Sequence, residues 1–124
     1  LGVNGDADGP DCQVAGNLLA SLDVLRACAD AFNAGIDEPL EARLLRALEA
    51  GLGAGGEAGP LHSAGLLVAD DVAWPTTNLR VDWSEDPIGD LRALWELWAP
   101  QKGDYRTRAL DPRSAPSYGV PGDQ

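Results

Sequence analysis

Four polar side chains are of types that act on amides. Asn17, directly after Gly16, carries a carboxamide that can donate to a developing oxyanion, and such donors sit at strand ends beside a nucleophile. The alternative is an amide that satisfies nearby backbone at a turn. His62, with an unperturbed pKa of about 6.5, could act as a general base. Ser63 follows it with a hydroxyl, and Glu57 could line the same cleft, so these three form the candidate substrate-binding set. Each is equally a solvated loop or strand-start residue, and one dimension establishes no Ser–His–Asp geometry.

A second set suits a different ligand. Trp95, Trp98, Tyr105 and Tyr118 offer aromatic faces of the kind that stack on carbohydrate rings. The helical spacing of Ile88, Leu91, Trp95 and Trp98 is also that of a core-facing stripe, which leaves both readings open.

The stretch Gly51-Leu52-Gly53-Ala54-Gly55-Gly56 spells G-x-G-x-x-G, which cradles dinucleotide phosphates where it follows a strand and opens a helix. Here the order is reversed. Leu40, Leu44, Ala47 and Leu48 upstream have helical spacing, and Ser63–Ala69 downstream is a short apolar run that fits a buried strand. A helix C-terminus and Glu57 would both repel phosphate. Gly51 is expected just past the helix end, where a positive φ is needed.

These elements belong to a chain of 124 residues with a net charge of −11 and 44% hydrophobic content. That composition suits one domain with a modest core. The few Lys and Arg argue against nucleic acid and anionic membrane surfaces as partners. No apolar run approaches the roughly 18 residues of a spanning helix, and no secretory leader is visible. Cys12 and Cys28 do not have metal-ligand spacing, so the expectation is free buried thiols in a reducing cytoplasm, with no metal and no cofactor. Methionine is absent, so Leu1 is not an initiator, and the expectation is a processed product or part of a longer chain.

Residues 2–11, rich in Gly and Asp, read as an exposed loop. Cys12–Ala20 then reads as a strand. Ser21 fits an N-cap, ahead of a helix with Leu22, Leu25, Ala29 and Phe32 on one face, ending at Gly35. A second helix, Pro39–Ala50, completes an αα-hairpin. Strands follow at Ser63–Ala69 and Asn78–Trp83. A third helix opens at Asp86-Pro87 and stops before Pro100. From Gly103 onward the Pro-rich chain reads as an irregular tail. Helices clustered beside strands predict an α+β fold.

Taken together, several segments resemble a known family. They are Gln13–Ala20, Pro39–Gly51 with Ala54–Glu57, Ser63–Val68, Leu79–Asp82 and Asp86-Pro87. In that order they resemble the C-terminal half of an uncharacterised family of Ntn-hydrolase-like proteins, the domain of unknown function numbered 1028. The ending from Arg108 to Pro112, and from Ala115 to Asp123, is similar to an extension on some members described as peptidoglycan-binding. The resemblance implies an αββα sandwich of amide-hydrolase ancestry over residues 1–98, with an appended extension over 99–124. It supplies no substrate.

Two departures qualify it. Ntn hydrolases attack with an N-terminal Thr, Ser or Cys whose α-amino group acts as base. Leu1 has neither hydroxyl nor thiol, and the family's candidate nucleophile lies in the half that this sequence does not contain. No Gly precedes a Ser, Thr or Cys, so among internal self-cleavage sites only Asp11-Cys12 remains. The second departure is the run Glu57-Ala58-Gly59-Pro60-Leu61-His62-Ser63, where the family tends to carry basic residues. The expectation is therefore the C-terminal portion of an Ntn-type amide hydrolase, partnered by its N-terminal half or by a second copy, and homo-oligomeric. The alternative is a peptidoglycan- or glycan-binding module.

Overall fold

The computed structural model describes residues 2–117. It is a mixed α+β architecture, with two antiparallel hairpins laid against a layer of helices.

The first hairpin pairs β1 (Val3–Gly9) with β2 (Cys12–Leu19) through Pro10-Asp11. Proline presets the first turn position, and Asp11 takes the second at φ 59°, the left-handed conformation that such turns require there. The expected loop over residues 2–11 is thus mostly strand. Its inward positions are Gly5, Ala7 and Gly9, alternating with outward Asn4, Asp6 and Asp8. Nothing larger fits inside: a Cβ on Gly5 would lie 3.0 Å from the Leu22 side chain, and one on Gly9 2.7 Å from that of Asn33. The period of two is present, but it contrasts small residues with polar ones, so hydropathy does not reveal it.

Helix α1 (Asp23–Ala34) covers this hairpin with Val24, Leu25, Ala29 and Phe32, while Leu22 is exposed. Ser21 lies one residue ahead of the cap position, and its Oγ accepts the Asp23 N–H at 3.3 Å. Helix α2 (Leu40–Gly53) packs on α1 as the predicted αα-hairpin, with Pro39 at the cap rather than inside the first turn. Gly51 belongs to α2 and is buried there. A Cβ on it would fall 2.5 Å from Cys28 Sγ, so it is small because the two helices approach closely. The positive φ expected at Gly51 falls instead on Gly55 (123°) and Gly56 (57°), which reverse the chain as Gly56 N–H bonds to Gly51 O at 2.9 Å.

The second hairpin pairs β3 (Ala64–Val68) with β4 (Thr77–Val81), Ala64 opposite Val81 and Val68 opposite Thr77. Helix α3 (Pro87–Trp98) opens as read from the sequence, with Pro87 in the first turn and the Asp86 carboxylate accepting the Gly89 N–H at 3.2 Å. A fourth helix, α4 (Lys102–Leu110), forms within the stretch read as irregular, and Pro112–Ser114 adds a 3-10 turn. Its text, KGDYRTRAL, has no apolar stripe, and none of its residues is buried. Ion pairs hold it instead.

Two apolar clusters result. Leu45, Leu66, Val68 and Leu91 join α2 and α3 to the second hairpin, and Leu19, Val24 and Leu25 join α1 to the first. Opposite the helices, Asn4, Asp6, Gln13 and Asn17 on one hairpin, and Gly65, Leu67, Asn78 and Arg80 on the other, face outward uncovered.

Candidate functional site

Asn17 sits where the first ladder breaks. Val3 pairs with Leu19 and Gly5 with Gly16, so β2 spends one residue more than β1 between those pairs. Leu18 absorbs the extra residue at φ 53°, a conformation unfavourable for a leucine by about 1–2 kcal/mol. The bulge is held from the other side by the glycine loop, where Ala58 N–H donates to Leu18 O at 2.7 Å and Ala20 N–H to Gly56 O at 2.8 Å. Glu57 thereby bridges to Leu19 in antiparallel sense. Asn17 and Glu57 therefore flank one strained seam, both exposed. Asn17 lines an open concavity with Asn4, Asp6 and Gly16, whereas Glu57 lines separate recesses with Leu61 and Ile88.

His62 and Ser63 lie elsewhere, at the entry to β3. The His62 ring stacks on Trp83 at 4.8 Å, its Nδ1 faces Ser84 O at 3.2 Å, and its carbonyl accepts the Ser84 N–H at 2.9 Å. These contacts zip the open end of the second hairpin. Ser63 is exposed beside it, and no hydrogen bond joins Ser63 to His62 among the described residues. The four side chains are thus split between two places, and none of the main cavities holds more than one of them.

The largest cavity, about 570 Å³, is a groove between the hairpins. Cys12–Ala15 of β2 and Gly65–Leu67 of β3 form its sides, and Phe32, Leu40, Leu44 and Leu48 form an apolar floor. Beyond the Leu19–Glu57 bridge, neither of these facing strand edges has a ladder partner among the described residues. Both cysteines border the groove as free thiols, and burial pushes the Cys28 thiol up from its ordinary pKa against weaker hydrogen bonds from backbone.

A charged knot lies at the opposite end. Glu41, only 2% exposed, accepts Thr77 Oγ1 and Lys102 Nζ on the same carboxylate oxygen, each at 2.6 Å. Lys102 also reaches Asp70 at 3.0 Å, and Asp70 accepts Thr76 Oγ1 at 2.8 Å. Burial pushes the Glu41 pKa up, but the bonds from Lys102 and Thr77 outweigh it and hold the carboxyl below its usual range. Burial likewise depresses Lys102, and its bonds to Glu41 and Asp70 more than reverse that. Asp70 is lowered first by Thr76 and then by Lys102.

The aromatic set gathers only in part around this knot. The Trp98 indole N–H donates to Thr76 O at 3.1 Å, and its ring meets Tyr105 at 5.0 Å. Trp74, Pro75, Lys102 and Arg106 close a pocket of about 140 Å³ with them. Trp95 instead packs on the Leu45–Leu91 cluster, and Tyr118 lies outside the described residues. Sequence reading missed Trp74, Glu41 and Lys102. Glu41 carried a usable signal, being an acidic residue four before Leu45 on the buried face of a helix. Among the described residues no His, Cys, Asp and Glu cluster could hold a metal ion, and no helix is long and apolar enough to cross a membrane.

Comparison with known proteins adds a family. The fold resembles the crystal structure of a DUF1028 protein from Silicibacter pomeroyi with a TM-score of 0.68 and 36% identity, over 78% of this chain and 42% of that one. The chain therefore spans less than half the length of that relative. No curated protein matches it. Residues 1–91, most of the sequence, match the family of unknown function DUF1028, and the chain belongs to that family.

Proposed function

We propose that this chain is the C-terminal portion of an Ntn-type amide hydrolase whose nucleophile is supplied by polypeptide beyond it, with Asn17 as an oxyanion donor. The observation that carries the reading is the bulge at Asn17-Leu18. A leucine held left-handed next to a carboxamide on an uncovered strand face is the kind of strained element that gathers at sites, and bulges re-aim the neighbouring side chain. One helical layer on one bare strand layer also suits half of an αββα sandwich. The free thiols of Cys12 and Cys28 suit a reducing compartment such as the cytoplasm. His62 takes no part in this reading, because it stands at the entry to β3 and does not line the concavity that holds Asn17.

The test is hydrolysis of small amides by the chain alone and by the chain joined with the remainder of a DUF1028 protein. Activity is expected only in the joined form, and Asn17→Ala should lower it by about 10²–10³. Turnover by the 124-residue chain alone sinks the proposal. A second reading, glycan binding, is favoured by one observation, the Trp74, Trp98 and Tyr105 pocket. It requires retention on purified peptidoglycan sacculi that Trp74→Ala and Tyr105→Ala abolish.

A further inference from the structure

We propose that the groove between β2 and β3 receives an extended polypeptide segment from the part of a DUF1028 protein that this chain does not span. This rests on the reading of the chain as one portion of a larger unit. Three observations specify the occupant. Two strand edges face each other across the gap without ladder partners, and main-chain N–H and C=O groups in such edges call for another strand rather than a small molecule. Between them, the Leu40, Leu44 and Leu48 stripe of α2 lines the opening, with Leu44 and Leu48 only partly buried where they also pack against the closed core around Leu45. An incoming strand needs apolar side chains at alternate positions to cover it. At the closed end, the protein already shows the pairing mode: residues 56–58 of its own glycine loop bond to Leu18 and Ala20 on the free side of β2.

The length of the relative decides between donors. This chain covers 42% of the Silicibacter pomeroyi protein, so the remaining 58% (100 − 42) is polypeptide that can donate such a segment. A second copy is less suited, because each of its strands is already paired on one side and would have to enter the groove together with its hairpin partner. Asp11, in the turn of the first hairpin, is the one charged residue that lines the groove, and a single carboxylate beside an apolar floor argues against an anionic ligand.

The uncovered portion of the Silicibacter pomeroyi protein, produced separately, is the probe to titrate into the 124-residue chain. Cys12 and Cys28 are native reporters. Binding should cause loss of iodoacetamide labelling at Cys12 and slow amide exchange along both Cys12–Ala15 and Gly65–Leu67. Ala47→Arg on the groove floor should abolish the complex, with Leu40→Lys, at a floor position that is 42% exposed, as a second variant if the first unfolds. Absence of binding, binding that leaves either edge exchanging freely, or protection by self-association of the chain alone overturns the proposal. Amide hydrolysis by the mixture is read separately. Activity without edge protection refutes the groove assignment alone, and edge protection without activity refutes the hydrolase reading alone.

Discussion

Lys102 Nζ lies 2.6 Å from Glu41 Oε2 and joins the helix that follows the family-matched segment to the second residue of α2. The carboxylate is buried, so removing its cation leaves a charge with Thr77 as its remaining side-chain partner. Lys102→Met should destabilise the fold by about 3 kcal/mol, read as a lower urea midpoint. An unchanged midpoint would show the pair to be ornamental.

The same pair sets a pH window. The folded-state pKa of Glu41 is depressed, so its contribution is present above the ordinary glutamate value, about 4.3, and is lost as pH falls through the lower folded value. Lys102 is raised, so its contribution is complete below about 10.4 and is lost as pH rises through the higher folded value. Thermal stability should therefore be flat between those limits and fall on both sides. In Lys102→Met the alkaline decline should shrink, and a decline as steep as in the parent would assign it to other groups.

Leu18 is 59% exposed, so its side chain contributes little packing to offset a left-handed backbone. Leu18→Gly should be neutral or stabilising by up to about 1 kcal/mol, despite the usual entropic cost of glycine. Chemical denaturation checks it; a loss beyond that size would mean that the isobutyl group holds the glycine loop.

Gly51→Ala forces a methyl group toward Cys28 Sγ across the α1–α2 contact. The expected cost is about 1–3 kcal/mol from overpacking. Adding Cys28→Ala should recover much of it, and the non-additivity of the double-mutant cycle is the decisive quantity.

Asp11 is left-handed immediately before Cys12, yet the hairpin turn fully accounts for that conformation. Purified material should therefore give one intact mass of 13.0 kDa with no species released at Asp11-Cys12. A Cys12-started fragment in the spectrum would reopen internal nucleophile generation.

The helices α1, α2 and α3 were legible because their apolar stripes repeat at helical spacing and Asp86-Pro87 marks a start. The β3 and β4 strands were legible from a short apolar run and from alternation. What escaped has a common cause, that packing replaced hydropathy as the signal. Gly5, Ala7 and Gly9 form the inside of β1 by being small, and α4 is fastened by Lys102 and Arg106 to Asp70 and Asp71 without burying a residue. The glycine loop was placed correctly by order along the chain, but the left-handed positions fell four and five residues later than Gly51. Of the candidate site, Asn17 and Glu57 flank one seam but open into separate recesses, while His62 and Ser63 stand at the hairpin end. That split depends on the Leu19–Glu57 bridge, which no local pattern encodes.

The family match ends at residue 91, partway through α3, yet Trp95, Trp98 and Lys102 all complete structure begun earlier in the chain. A gene trimmed to the family-matched stretch would cut a helix in two and leave Glu41 without its counterion. The segment that carries the family likeness and the segment over which these contacts close are therefore of different length.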